Sequence, residues 1–487
     1  MLNSFACLTV FSFSVYIILR VVSRSFSALF KNEEHVRSSS VRNGVRQDIR
    51  RDMGFYESYL TEINTKYGTK VYAVLSLKSM INLRRHDIKN TLLLLSRKYP
   101  ILRARVTSCL STHASKRQFV INPKERLVPE LRFVNTSNWK LILEEELIYH
   151  NDNVRSNNEL FWKTIVLRQQ YEARQKLYIN TFLFLFDPVI VDRISVVRFT
   201  QDFTEVLCKL INCDICVDNT RSLHLPAPTE ECLTPPFPKL LVLLFKQVVI
   251  KLQSIIRCPM FIHQKDKRHR SRAKPLIVMK CLSEEDTSRL LKYCHHFNCS
   301  LTALFITAWS DIMSGRTGST KALCHRKPVT VVVDYRTSIT TDLPLLYLSN
   351  CCSCFKFPLS SSQNRRRHFE STVKDCESQL NSSIRMKKHL DLIWQLKYGN
   401  LMRERLHESS SPFEIADIGR FSFNQTWPFS LHEIYIGASS KSTVNLTLLV
   451  VNNKLHCGMH LTSHFSGCAD LLSSFFARIV QGMSLNN

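Results

Sequence analysis

One short turn carries residues whose types could do chemistry. The stretch LYINTFLFLFDPVIVDRISVVRF, Leu177 to Phe199, places Asp187, Pro188, Asp192 and Arg193 between two regular segments. Turns that follow buried strands often carry catalytic groups, and a carboxylate can accept a proton. The composition of this turn therefore raises the question of whether it performs a reaction.

The flanking segments must position this turn. The apolar run Leu177–Phe186 predicts a buried strand, and the pattern after the turn predicts a helix that begins near Ile194. Strand-like and helical runs alternate from Met53 to about Thr220, and the alternation resumes at Pro275. The pattern predicts an α/β protein with mixed sheets.

Two further clusters contain groups that could do chemistry. His456, His460 and His464 lie close together in KLHCGMHLTSHF, and strand alternation puts the first two on one face. Ordinary strand and loop residues are the favoured interpretation, against a relocated base or a metal site. A four-cysteine zinc pattern could be drawn from Cys208, Cys213, Cys216 and Cys232. Their spacing is loose for a zinc site, so ordinary buried thiols are the favoured interpretation.

Length and composition indicate a large globular protein. The 487 residues exceed what one core usually covers, and 44% hydrophobic with 22% charged residues excludes wholesale disorder and a polytopic membrane protein. The 17 cysteines are odd in number and scattered, which favours reduced thiols.

The net charge of +26 is the strongest deviation from average composition. The positive charges cluster in segments such as KDKRHRSRAK, Lys265 to Lys274, and at Arg365 to Arg367. They lack the aromatic-interleaved or zinc-finger motifs of nucleic-acid-binding proteins, so nucleic acid is not the expected partner. Solvated loops are the favoured interpretation, and a membrane surface is the alternative.

Two apolar segments bear on membrane association. Phe5 to Leu19 is uncharged and is followed by Arg20, with no basic residues before it, so an uncleaved anchor is at least as well supported as a cleaved signal peptide. For an anchor, the basic residues after the segment place the body of the protein in the cytosol. Lys239 to Arg257 is apolar apart from one stripe with Lys239 and Lys246. The favoured interpretation is a largely buried helix with a solvated stripe, and the alternative is an interfacial membrane helix.

Several motifs occur in an order that resembles a known superfamily. IKNTLLLLSRKYPILRARV (Ile88 to Val106), the helical pair from Leu282 to Met313 and VTVVVDYR (Val329 to Arg336) are similar to the condensation domains and alcohol O-acetyltransferases. IADIGRFSF, Ile415 to Phe423, stands where these proteins show Ser-Asn-Leu-Gly. The resemblance covers most of Met53 to Met483 and implies two chloramphenicol-acetyltransferase-like lobes, each a mixed β-sheet with helices, around a cleft.

In that superfamily the strand of the opening turn ends in His-His-x-x-x-Asp-Gly, and the second His is the general base. The resemblance places Asp187 and Pro188 at the two His positions, and Asp192 and Arg193 at the Asp and Gly positions. The expected base is therefore a proline, which cannot accept a proton. The structural Asp is kept, and the resemblance implies that it pairs with Arg336.

The resemblance also bears on the second lobe and on substitute bases. Asp417, followed by Gly419, replaces the Asn of the second-lobe motif and would put negative charge near a developing oxyanion. Asp187 and His460 are the candidate substitute bases, although an unperturbed Asp, with a pKa of about 3.9, is a poor base near neutrality.

We expect a monomer with no bound cofactor and no metal, and with acyl-CoA or a lipid-like small molecule as ligand or substrate. Two hypotheses stay open: a catalytically impaired, membrane-associated protein that keeps the cleft, and an active O- or N-acyltransferase with a relocated base. The expected division is an apolar segment at 1–31, a tether at 32–52, a first lobe at 53–222, a Pro-rich linker with a helix and a basic loop at 223–275, and a second lobe at 276–487.

Overall fold

The structure is a computed structural model of the whole chain. It describes residues 49–109, 116–121, 130–149, 160–212, 222–243, 245, 275–315, 328–339, 348–359, 369–398, 411–423, 428–440, 442–461 and 470–484. Several predicted features lie outside these residues: the apolar segment at 1–31, most of the tether, Cys213, Cys216, His464, the basic segment 265–274 and Arg365 to Arg367.

The first half of the chain alternates strands and helices. Its strands are β1 (Ile49–Asp52), β2 (Val71–Ser79), β3 (Ala104–Cys109), β4 (Lys116–Ile121), β5 (Glu130–Phe133), β6 (Trp162–Val166), β7 (Gln170–Glu172) and β8 (Leu177–Phe186). Its helices are α1 (Phe55–Tyr67), α2 (Arg85–Lys98), α3 (Trp139–Tyr149) and α4 (Arg193–Ile211). A helix α5 follows, and its described residues are 237–243 and 245.

The second half also alternates strands and helices. Its strands are β9 (Leu276–Cys281), β10 (Val329–Asp334), β11 (Cys352–Phe357), β12 (Phe413–Phe421), β13 (Phe429–Ala438), β14 (Val444–Val451) and β15 (Lys454–Leu461). Its helices are α6 (Glu284–His296), α7 (Leu301–Gly315), α8 (Phe369–Arg385), α9 (Asp391–Tyr398) and α10 (Leu471–Ser484).

Two six-stranded sheets organise the described residues, which confirms the mixed α/β class. The first sheet has the order β13-β2-β8-β6-β5 with β7 beside β8, and the second has the order β11-β10-β12-β14-β15-β9. A small sheet of β1, β4 and β3 accompanies them. The sheets do not follow the division at 223–275, because β13 comes from the second half of the chain and pairs with β2 of the first sheet.

Burial explains which segments became strands. Strand β14 is buried at every residue, and β8 is buried over its last five residues, as expected for strands that are covered on both faces. Phe182, Phe184 and Phe186 of β8 pack against Phe199 and Phe203 of α4 with ring centroids 4.9–5.2 Å apart at the closest pairs. This aromatic cluster holds α4 directly behind the strand, and so fixes the turn between them.

Candidate functional site

The turn begins at Asp187, whose side chain is used to shape the backbone. Its carboxylate accepts the Val189 N–H at 2.9 Å and a hydrogen bond from the Asn64 side chain, and its own N–H donates to the Phe161 carbonyl at 2.8 Å. Asp187 is only 1% exposed. The candidate substitute base therefore accepts bonds that hold the loop, and both of its carboxylate oxygens are engaged.

Pro188 stands at the centre of the turn. Its carbonyl accepts the side-chain amide of Asn350 at 2.6 Å, which ties the turn to the second half of the chain. The neighbouring cavity measures only about 10 Å³, room for about one water molecule. Its lining includes Tyr56, Val189, Ile190, Thr229 and Leu348.

Part of this lining comes from the segment predicted as a linker. Residues 222–233 pack against the turn, and the cavity is lined by Pro226, Ala227 and Thr229. The Leu223 N–H donates to the Lys98 carbonyl at 2.9 Å, and the Tyr335 hydroxyl donates to Thr229 Oγ1 at 2.9 Å. The covering segment, as we call residues 222–233, is thus held by Lys98 and Tyr335 and shares a cavity with Val189 and Ile190 of the turn.

Glu230 anchors the cover to the start of α1. Its carboxylate accepts the Tyr56 N–H at 3.2 Å, and its carbonyl accepts the Lys397 ammonium at 2.7 Å. Burial, together with the Glu57 charge, raises the pKa of Glu230 to about 7, although the N–H groups of Phe55 and Tyr56 act in the opposite direction. A buried carboxyl group that titrates near neutrality therefore lies beside the turn.

Asp192 caps helix α4 and forms the ion pair that the resemblance implied. Its Oδ1 accepts the Ser195 N–H at 2.8 Å and its Oδ2 accepts the Cys351 N–H at 2.7 Å. Arg336 Nη2 lies 2.9 Å from Oδ2, and the Asp192 and Arg336 side chains are 3% and 6% exposed. Burial opposes ionisation of Asp192, but the Arg336 charge and these hydrogen bonds hold its pKa below the ordinary value.

Arg336 has further partners. Its Nη1 donates to Asp334 at 2.9 Å, and its Nη2 donates to Ser195 Oγ at 2.8 Å and to the Ser349 carbonyl at 3.2 Å. Burial alone would lower the pKa of Arg336, but Asp192 and Asp334 raise it overall. The pair joins α4 to the segment after β10 and fixes the back of the turn.

Arg193, where the resemblance places a glycine, extends into the second sheet. Its Nη2 donates to Glu414 of β12 at 2.7 Å and to Asn445 of β14 at 3.0 Å. The Asn445 amide in turn donates to Glu414 at 2.7 Å. A glycine has no side chain that could make these contacts, so the substitution adds a buried polar connection between the two sheets.

His460 lies next to this connection. The register pairs Glu414 with Asn445 and Asn445 with His460, so the three side chains occupy one rung of the second sheet. His460 is 6% exposed, and within the described residues its Nδ1 has no hydrogen-bond partner. Burial lowers the pKa of His460 to about 4, partly opposed by Glu414. The imidazole is therefore neutral at physiological pH.

His456 lies on the same face of β15, as the alternation predicted, but it has different partners. Its Nε2 is 3.8 Å from Cys281 Sγ and its ring packs on Tyr435. Burial lowers the pKa of His456 to about 4. Within the described residues no group of three or more His, Cys, Asp or Glu side chains could hold a metal ion.

Asp417 and Gly419 lie at an irregularity of β12. The register to β14 shifts between Asp417 and Arg420, Gly419 has φ +97°, and its N–H donates to the Asp417 carboxylate at 3.0 Å. Strand alternation puts Asp417 on the face of Phe413 and Ile415, whose side chains belong to the second core, and Glu414 on the opposite face. The two second-lobe carboxylates are therefore on different faces, and the one that meets the turn residues is Glu414.

Sequence reasoning missed the residues that enclose the turn. Asn64, Glu230, Asn350 and Glu414 each stand in a sequence context typical of exposed positions. Asn445 had a usable signal, because it is a polar residue in the otherwise apolar run VNLTLLVV. A buried amide in such a strand needs a partner, and the strand pattern does not say which one.

The comparisons identify the fold. No family profile matches the chain, and no curated protein sequence matches it. The structure superimposes on the trichothecene 15-O-acetyltransferase from Fusarium sporotrichioides with a TM-score of 0.63 and 10% identity, over 91% of this chain and 97% of that chain. For the first condensation domain of the calcium-dependent antibiotic synthetase the TM-score is 0.59 at 10% identity, over 89% and 97%.

The epimerization domain of tyrocidine synthetase B matches with a TM-score of 0.57 and 10% identity, over 91% of this chain and 99% of that one. This chain has the chloramphenicol-acetyltransferase-like fold. The fold expected from the collinear motifs is thereby confirmed. At this level of identity the likeness establishes the fold alone, and the chemistry of the turn has to be argued from its own residues.

Two further observations bear on the chloramphenicol-acetyltransferase-like body. In the part of the chain that the structure describes, no helix has the length and apolarity needed to cross a bilayer. The cysteines of that part are free thiols, including Cys208 and Cys232 of the loose zinc pattern.

Proposed function

We propose that this protein does not transfer acyl groups at the turn after β8, and that it acts instead as a binding protein for an acyl or lipid-like small molecule. The observation that carries the proposal is Pro188, which occupies the position where the resemblance places the general base. A general base contributes roughly 10²- to 10⁴-fold in rate, and proline has no group to supply it.

The surroundings of the turn support the same conclusion. The cavity lined by Val189 and Ile190 of the turn measures about 10 Å³, which is room for about one water molecule. The Asp187 carboxylate is occupied by the Val189 N–H and the Asn64 amide. The turn therefore keeps the contacts that hold its shape, at Asp192 and Arg336, and lacks the group that would move a proton.

The ligand class follows from the fold and from the chemistry of its relatives. The Fusarium protein is an O-acetyltransferase, so this fold accommodates an acyl donor in at least that case. For a ligand to enter beside Pro188, we expect the covering segment 222–233 to move, because its side chains form part of the cavity lining.

An active transferase with a relocated base is the second candidate, and one observation favours it. His460 is a neutral imidazole, and its Nδ1 has no hydrogen-bond partner among the described residues. A pKa of about 4 nevertheless makes this imidazole a weak base near neutrality.

Two measurements on the full chain test the proposal together. Melting temperature is recorded with acetyl-, octanoyl- and palmitoyl-CoA and with free CoA as the control, and CoA thiol release is followed with simple alcohols and amines. We expect at least one acyl-CoA to raise the melting temperature by about 2 °C or more without thiol release above background.

Either result could contradict the proposal. Robust thiol release that persists in Pro188→Ala and disappears in His460→Ala would establish the relocated-base enzyme in its place. A melting temperature that no acyl-CoA changes relative to free CoA would remove the acyl ligand from the proposal. Asp187→Asn serves as the matched test of the other candidate base.

A further inference from the structure

Helix α5 presents an apolar face to solvent. Phe237, Leu241, Val242 and Phe245 are 67%, 50%, 52% and 65% exposed. At about 100° per residue these four positions span an arc of about 140° on one side of the helix. We call this set the apolar face of α5. The sequence pattern predicted that such residues are buried and that the stripe with Lys239 and Lys246 is solvated. Lys246 and the residues that follow it in that segment lie outside the described residues.

The opposite side of the helix holds α5 against the body of the protein. Leu243 is buried in a cluster with Trp394 of α9. Lys239 forms an ion pair with Asp391 at 2.5 Å, and its ammonium lies 4.6 Å from the centre of the Trp394 ring. Lys239 thus points inward beside Leu243, while four other large apolar residues point outward, which is unlike an ordinary surface helix.

Basic residues at the end of α8 lie close to helix α5. The Lys239 ammonium donates to the Met386 carbonyl at 3.1 Å, which brings the end of α8 next to the helix. Met386 is itself 52% exposed. Arg385, Lys387 and Lys388 on either side of it are exposed as well. An exposed apolar stripe next to several cations is the combination found in helices that lie in a bilayer interface.

We propose that the apolar face of α5 inserts into the interfacial layer of an anionic phospholipid membrane, with Arg385, Lys387 and Lys388 contacting the lipid headgroups. The proposal is independent of any ligand at the Pro188 turn. A protein partner is less well matched, because the exposed residues on either side of Met386 (Arg385, Lys387 and Lys388) are all basic and the whole chain carries +26. That charge balance favours a uniformly negative surface.

The test is amide hydrogen exchange on the whole 487-residue chain with vesicles. Vesicles of phosphatidylcholine alone are compared with vesicles containing about 30% phosphatidylserine. The apolar segment Phe5 to Leu19 could bind vesicles by itself, so a local readout is needed in addition to flotation. We expect phosphatidylserine vesicles to slow exchange in peptides that cover residues 237–245.

Two variants separate the apolar and the electrostatic contributions. Phe237→Ser, Leu241→Ser and Phe245→Ser combined should weaken vesicle partitioning by about tenfold or more and remove the local protection. Lys387→Gln with Lys388→Gln should weaken partitioning by about fivefold per lysine on phosphatidylserine vesicles and leave phosphatidylcholine unaffected.

The matched control is Met80→Ser with Tyr171→Ser. These side chains are 64% and 56% exposed but belong to the first sheet region, so both the flotation and the protection of 237–245 should be unchanged. Melting temperatures verify that each variant is folded.

Three results would overturn the proposal. The first is a protein that floats with the vesicles although its amide hydrogen exchange over residues 237–245 is the same with and without them. The second is equal protection by neutral and anionic vesicles. The third is a triple variant that alters self-association in light scattering while its vesicle binding is unchanged, which would make the face a protein interface.

Discussion

Arg193 at the start of α4 and Glu414 of β12 meet at 2.7 Å, although 221 residues separate them in the chain. Both side chains are largely buried, at 9% and 13% exposure. Asn445 joins them through its amide group. The residue directly after Asp192 therefore connects the turn to the second sheet, at a position where the resemblance implies a glycine.

The first prediction concerns this connection. Arg193→Met leaves the Glu414 carboxylate buried without its cation, and removal of one partner of a buried pair costs about 3–5 kcal/mol. We expect the variant to unfold at a lower urea concentration than the wild type. Arg193→Met combined with Glu414→Leu should recover part of the loss, because the uncompensated charge is then gone. If the loss of unfolding free energy in the double variant equals the sum of the losses in the two single variants, Arg193 and Glu414 are not coupled.

The second prediction concerns Asp192 and acid. The folded-state pKa of Asp192 lies below its ordinary value, so its ionised form stabilises the fold above the unfolded pKa of about 3.9, and this contribution is lost as the pH falls through the folded pKa. Asp192→Asn should lower the free energy of unfolding by about 3–5 kcal/mol at pH 7. The difference from wild type should shrink below about pH 4.

The measurement for Asp192 is a series of melting curves between pH 3 and pH 8. Glu205→Gln is the control on the same helix, because its side chain is 57% exposed and should change stability little at any pH. A difference between wild type and Asp192→Asn that stays constant down to pH 3 would show that the Asp192 charge is not what stabilises the turn.

The elements around the turn could be predicted because their patterns are local. The apolar run Leu177–Phe186 became β8 with the predicted bounds, and α4 begins at Arg193, one residue before the predicted start. The contact between Asp192 and Arg336 could also be predicted, from the collinear motifs that carry the resemblance. These features depend on periodicity and on motif order, which the sequence carries directly.

The contacts between distant segments could not be predicted. Glu230 lies in a Pro-rich stretch that is typical of a linker, yet it is buried at the start of α1. Phe237 is exposed and Lys239 faces the body of the protein, the reverse of what hydropathy predicts, because Asp391 and Trp394 bind the lysine. Such outcomes depend on a partner from elsewhere in the chain, and no single segment contains that information.

The third prediction uses the raised pKa of Glu230. A carboxyl group whose pKa is about 7 when folded and about 4.5 when unfolded binds its proton more tightly in the folded protein. Its contribution to stability is therefore fully present below about pH 4.5 and is lost as the pH rises through 7. Glu230→Gln keeps an acceptor for the Tyr56 N–H and cannot ionise.

We expect Glu230→Gln and wild type to melt at similar temperatures at pH 5. At pH 8 the variant should be more stable, by about 2–3 kcal/mol at most. Glu57, whose charge helps to raise this pKa, is present in both proteins. The same stability difference at pH 5 and pH 8 would mean that Glu230 does not change its protonation in this range.

The fourth prediction asks whether the missing histidine is the sole defect of the turn. Pro188→His restores an imidazole at the position of the general base, and a base in a competent site would raise the rate of thiol release from acyl-CoA roughly 10²- to 10⁴-fold. The cavity beside the turn, however, measures only about 10 Å³, and Pro226, Ala227 and Thr229 form part of its lining. We therefore expect Pro188→His to remain at the background rate of thiol release.

Pro188→Asn is the matched control, since it removes the same ring without adding a base. A gain of about 100-fold or more in Pro188→His alone, dependent on an added alcohol or amine, would show that the substrates do reach the turn and that proline is what silences it.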